Sequence, residues 1–244
     1  MALLEIDAVS VKFGGLLAVD DATLSVPEGC VTGLIGPNGA GKTTLFNVIT
    51  GLQNPSGGHV LLDGVDITKR RPYKRARLGI ARTFQRIEAF GSLSARENVL
   101  VALEMRRRWA KSRYDAGKLA DELLEKVGAA SVANARVESL PTGSARLVEL
   151  ARALATDPKI LLLDEPSSGL DEQETDAFGV LLHELTAGGL AVLLVEHDMP
   201  LVMEACTYIS VLDFGRVIAQ GTPAEIQADP SVQRAYLGTA KTAP

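Results

Sequence analysis

The chain has 244 residues, 46% of them hydrophobic and 23% charged, a length that suits one domain, or a core with a lobe, around a sizeable interior. Its formal net charge of −5 excludes a protein that coats nucleic acid over its whole surface and leaves only local basic clusters to consider. Cys30 and Cys206, the only cysteines, have neither redox nor metal-ligand spacing, and no apolar run approaches the roughly 20 residues that span a bilayer.

Met1 to Asp7 lacks the basic start and long apolar core of a secretory signal, which predicts a chain working in a reducing cytosol. Strand-like runs follow from Leu3 to Phe13 and from Leu16 to Val26, with Gly14-Gly15 as the turn between them, so an antiparallel β lobe is expected first. Val31 to Ile35 reads as a short buried strand and Lys42 to Thr50 as a helix. Between them, Gly36-Pro37-Asn38-Gly39-Ala40-Gly41-Lys42-Thr43-Thr44 has the spacing of a phosphate-binding loop. Its glycines let the backbone curl and point N–H groups inward, while the helix N-terminus favours an anion. Lys42 is expected on the β- and γ-phosphates and the Thr43 hydroxyl on Mg²⁺.

Val60-Leu61-Leu62 before Asp63-Gly64 reads as a further strand and turn. From Ser94 to Ala155 the period becomes helical, with Leu119, Leu123 and Val127 on one face and Leu147, Leu150, Ala151 and Leu154 on another. This predicts an inserted helical lobe at about residues 90–157. The apolar runs Ile160–Leu163 and Ala191–Val195 then suit central parallel strands buried on both faces. The fold class is therefore α/β: a mostly parallel buried sheet, an N-terminal antiparallel β lobe and the helical insert, all within a single domain of residues 1–238, with a loose tail at 239–244.

Ligands gather at the carboxyl ends of such strands, where Gly36, Asp164-Glu165 and Glu196-His197 emerge. Asp164 is positioned for a magnesium hydration shell. Glu165, one residue further, is positioned to orient or deprotonate the water that attacks a γ-phosphate. His197 and Gln85 have the chemistry to reach the γ-phosphate and the metal, although each alone is more often structural.

Taken in order, the phosphate loop, Gln85, Asp164-Glu165-Pro166, Ser167-Ser168-Gly169-Leu170-Asp171 and Glu196-His197-Asp198 resemble ABC-type ATPases along essentially the whole chain. The resemblance implies a P-loop NTPase core of ABC type that binds ATP and Mg²⁺ and hydrolyses ATP. It implies that Phe13 stacks on adenine, that Val19 belongs with the phosphate-loop residues at the nucleotide, and that Gln85 switches between metal site and transport partner. It also implies Glu165 as general base, His197 as γ-phosphate switch and Asp171 as a contact across a dimer. One motif departs: Leu140-Pro141-Thr142-Gly143-Ser144 stands where the family carries Leu-Ser-Gly-Gly-Gln, and only Leu140 and Gly143 are kept. Proline is tolerated in a first helical turn, so a working but altered half-site is expected, with Thr142 or Ser144 as substitute hydroxyls.

Phe13-Gly14-Gly15-Leu16-Leu17-Ala18-Val19, Gly79 to Gln85, Glu196 to Met199 and Arg234 to Gly238 resemble ATP-binding subunits of branched-chain amino acid importers and their amide and urea relatives. Lipopolysaccharide-export ATPases resemble the same ending, so the first two stretches are what favour import. The implied partners are a second ATPase subunit, integral membrane permeases and, indirectly, an extracytoplasmic solute-binding protein. The implied location is cytoplasmic, peripheral on the inner face of the plasma membrane. Two basic clusters, at Lys69 to Arg77 and Arg106 to Arg113, support the rival class of nucleic-acid ATPases. No coiled-coil interruption or second ATPase half accompanies them, so no specific nucleic-acid partner is expected. A subunit that binds ATP without turnover is disfavoured by intact Lys42, Asp164, Glu165 and His197.

Overall fold

The computed structural model describes residues 2–111 and 113–239. Strands β1 (Ala2–Phe13) and β2 (Leu16–Pro27) pair antiparallel across the turn at Gly14-Gly15. Along β1, past Leu3, the buried residues are Leu4 and Ile6 on even numbers, then Val9 and Val11 on odd ones. The change of parity falls at Ala8, whose φ of 50° marks a bulge where the register shifts by a residue and keeps the apolar side on the core. Strands β4 (Gly57–Leu62) and β5 (Val65–Asp66) complete this sheet in the order β2-β1-β4-β5.

The second sheet contains β3 (Val31–Ile35), β6 (Ile80–Arg82), β7 (Ile160–Asp164), β8 (Ala191–Val195), β9 (Tyr208–Asp213) and β10 (Arg216–Gly221), in the order β10-β9-β3-β8-β7-β6. All its pairings are parallel except that of β9 with β10. Every residue of β3, β7 and β8 is buried, as expected of strands covered on both faces, and their carboxyl ends open on one edge. Helix α1 (Lys42–Thr50) follows β3, and α2 (Pro72–Arg77) precedes β6.

The helical lobe leaves the sheet after β6 and returns at β7, its neighbour, so the insert begins and ends one strand apart. It comprises α3 (Ala95–Ala110), α4 (Ala116–Lys126) and α5 (Thr142–Ala155). Ser94 starts α3 with a reciprocal capping box to Glu97, which satisfies two otherwise orphaned amides. Val99, Leu103, Leu124, Val148 and Ala151 pack into one cluster. The expected α4 face is rotated slightly: Ala120, Leu124 and Val127 are buried, and Leu119 and Leu123 pack at its margin. After β7 come α6 (Glu172–Ala187), α7 (Met199–Ala205), α8 (Pro223–Ala228) and α9 (Pro230–Thr239). The tail expected at 239–244 lies, beyond Thr239, outside the described residues.

The basic clusters are partly structural. Arg75 is only 1% exposed and donates to the carbonyls of Val48 at 2.6 Å and Ile49 at 2.8 Å, in the last turn of α1, and to those of Thr68 and Arg70. Arg106 pairs with Asp157, Arg107 with Glu104, and Arg77 lies over the rings of Tyr73 and Trp109.

Candidate active site

Helix α1 begins at Lys42, and its N-cap is Gly41 at φ 108°. A Cβ at Gly41 would lie 2.6 Å from the Ala18 carbonyl oxygen, so a residue with a side chain cannot close this turn without displacing β2. No side chain caps the helix and no acid sits in its first turn, so its end presents amides and the positive end of its dipole to the cleft. The Lys42 ammonium is buried and donates to the carbonyls of Gly36 at 2.6 Å and Pro37 at 3.1 Å. Burial lowers its pKa, while the charges of Glu165 and Asp164 oppose that shift.

Asp164, the last residue of β7, is buried, and its Oδ2 accepts from Arg82 Nη2 at 2.9 Å. Arg82 also donates to Asn47 Oδ1 at 2.6 Å, and its guanidinium lies 4.8 Å from the ring centre of Phe84. Glu165 turns the backbone into the left-handed region, at φ 52°, an uncommon conformation for a non-glycine residue and one that recurs at functional sites. The turn is held by its N–H donating to the Val195 carbonyl at 2.8 Å. The Glu165 carboxylate consequently points away from the strand: Oε2 accepts from Gln85 Nε2 at 3.1 Å, and Oε1 lies 2.9 Å from His197 Nε2. Behind them, Glu196 accepts from the N–H groups of Ser167 at 2.7 Å and His197 at 3.0 Å, fixing both following segments to one carboxylate.

One cleft is lined by Phe13, Asn38 to Thr44, Gln85, Asp164, Glu165 and His197. Residues from the whole length of the chain thus meet beside the phosphate loop. Val19, expected with the phosphate-loop residues, packs directly under the loop. It is fully buried, since strand alternation turns it inward beneath Gly41, and its neighbour Ala18 lines the cleft instead. Phe214 and Arg82 were missed. Phe214, at φ 44° in the turn joining β9 to β10, lines the cleft with its side chain 87% exposed. A large aromatic beside Gly215 at a strand turn was the available signal. Arg82 carried none, because nothing in the sequence tells a buried arginine at a strand end from an exposed one.

The segment Leu140 to Ser144 does not line this cleft. Pro141 is the N-cap of α5 rather than part of its first turn, and the helix starts at Thr142, which is exposed. Gly143 is buried against the turn after β7: a Cβ there would meet Leu170 Cδ2 at 2.8 Å and the Gly169 carbonyl at 2.9 Å. Asp171 caps α6, accepting from Glu174 N–H at 2.8 Å within a capping box.

The family model described as ABC transporter matches residues 19–168. The chain belongs to the ABC transporter family. It is an ATPase built on an ATP-binding cassette, and residues 216–242 match the model described as branched-chain amino acid ATP-binding cassette transporter. Among curated relatives, the high-affinity branched-chain amino acid transport ATP-binding protein BraF of Pseudomonas aeruginosa is 41% identical, with 98% of each chain covered. The lipopolysaccharide export system ATP-binding protein LptB of Haemophilus influenzae is 34% identical, again with 98% of each covered. The fold resembles the ADP conformation of MJ1267, an ATP-binding cassette of an ABC transporter, with a TM-score of 0.87 at 30% identity over 98% of this chain and 99% of that one. It also resembles the dimeric post-hydrolysis state of the cassette MJ0796 bound to ADP and Pi, with a TM-score of 0.82 at 28% identity over 90% of this chain and 98% of that one. Among the described residues, no helix is long and apolar enough to cross a membrane.

Proposed function

We propose that this ABC ATPase powers an importer for branched-chain amino acids or related small polar solutes, working as a pair of cassettes on the inner face of a membrane. The observation that carries the enzymatic part is the convergence of Gln85, Glu165 and His197 beside Lys42 and the α1 N-terminus. Import rather than export rests on the greater similarity to BraF, at 41% identity against 34% for LptB. Phe13 offers a half-exposed ring to the adenine. The loop amides and Lys42 hold the triphosphate, and Glu165 orients the attacking water and accepts its proton. Gln85 and His197 keep the carboxylate aimed, and His197 is within reach of the γ-phosphate. The oxygen donors of Thr43, Asp164 and Gln85 fit Mg²⁺, which favours few protein ligands alongside phosphate and water. When bound, the ion supplies positive charge to the β- and γ-phosphate oxygens.

A cassette pair is favoured because Leu140 to Ser144 lies outside the chain's own cleft, with Pro141 and Thr142 exposed. A second, largely apolar cleft between β6 and the helical lobe, lined by Phe84, Phe90, Met105 and Trp109, suits a docking segment of a permease.

The test is Glu165→Gln. Hydrolysis is expected to fall by about 10²–10⁴-fold, the usual contribution of a general base, and an ATP-bound dimer should persist in size-exclusion chromatography. Undiminished hydrolysis removes Glu165 from the role of base. Purification of the chain with its native membrane partners distinguishes the transport readings: solute permeases support import, and lipopolysaccharide-handling partners the exporter reading.

A further inference from the structure

Arg146 lies on the second turn of α5, one turn past Gly143, and its guanidinium reaches two other segments. Nε donates to the Ser168 carbonyl at 2.8 Å, Nη2 donates to the Gln85 carbonyl at 2.9 Å, and Nη1 lies 3.5 Å from the Phe84 carbonyl. A rigid planar fork can hold carbonyls that lie in two directions, whereas a lysine is a single point charge. On the two-cassette reading the two segments belong to different nucleotide sites. Gln85 donates its side-chain amide to Glu165 in the chain's own cleft. Ser168 leads into Gly169 and Leu170, which pack on Gly143, part of the surface outside that cleft.

We propose that Arg146 is a positioning residue coupling the two ATP sites of the cassette pair. It fixes the Gln85 backbone of one site in register with the 168–171 turn and the α5 N-terminus that its chain lends to the other. This rests on the two-cassette reading above. A displacement of Gln85 at one ATP is carried through one side chain to the turn and helix facing the second, without passing through the hydrophobic core.

The experiment measures ATP hydrolysis against ATP concentration for the wild-type chain, Arg146→Ala and Arg146→Lys, together with nucleotide binding and thermal melting. For Arg146→Ala the Hill coefficient is expected to fall to about 1 from a higher wild-type value, with kcat reduced about ten-fold. ATP affinity of the single chain should stay within about two-fold, because Arg146 does not line the cleft. Arg146→Lys should recover part of kcat. An unchanged Hill coefficient, or a loss confined to ATP affinity, overturns the proposal. If the alanine variant melts early, the lysine variant's Hill coefficient decides. Failure of the parent reading is distinguishable: it would appear as a Glu165→Gln chain that stays monomeric in ATP, whatever Arg146 does.

Discussion

Arg75 carries a charge into the interior in order to finish a helix. The last turn of α1 has no basic residue of its own, and its Ile49 carbonyl would otherwise be buried without a donor, while that of Val48 also accepts from the Gly51 N–H at 3.1 Å. Arg75→Ala strands the Ile49 oxygen and the carbonyls of Thr68 and Arg70, and leaves Val48 with the Gly51 N–H alone. We expect a loss of about 3 kcal/mol, read as a lower urea midpoint with unchanged slope. Arg75→Lys should regain only part of it, since an ammonium lacks the fork. In the sequence this residue was one of six cations between Lys69 and Arg77 and could not be singled out. A helix of six residues is too short for periodicity to reveal which side faces inward. Glu165 was legible for the opposite reason: two acids directly after the apolar run Ile160–Leu163 can only emerge at the strand's carboxyl end. The alternation that exposes Ala18 to the cleft turns Val19 under the loop.

At the scale of elements, α5 and the turn after β7 act as one surface. Gly143→Asp introduces a Cβ where Leu170 and Gly169 already stand, so the turn must shift or the helix must back away. The assembled complex should lose about ten- to a hundred-fold in ATP hydrolysis, as misplaced catalytic segments do. ATP binding by the single chain, measured with a fluorescent analogue, should be nearly unaffected. Unchanged hydrolysis would separate the segment from the site. The helix itself was readable from its apolar period, but its start was not, because a proline suits both the first helical position and the residue before it. Strand β6 was not legible at all. Its three residues carry no pattern of their own and owe their conformation to pairing with β7.

At the scale of the whole molecule, a half-site that needs a neighbour makes stability depend on concentration. With Mg-ATP present, the melting temperature of Glu165→Gln should rise with chain concentration over about a hundred-fold range, as mass action requires of a dimer. The wild-type chain with ADP should melt at a constant temperature, and the same constancy in the variant would count against pairing. The layer order followed from where apolar runs and turn residues fall. The proposed partner surface came only from the motif resemblance at Leu140 to Ser144 and Asp171, since a surface completed by another chain has no apolar period to betray it.

Strand β3, which launches the phosphate loop, pairs only with β8 and β9, so Val31 has to wait for Val192, about 160 residues later. At roughly 5–20 residues per second of synthesis that wait is about 10–30 s, during which a five-residue apolar strand has no partner on either edge. The nascent chain on the ribosome, rather than the finished cassette, is therefore where this topology is most prone to aggregate and most dependent on chaperones.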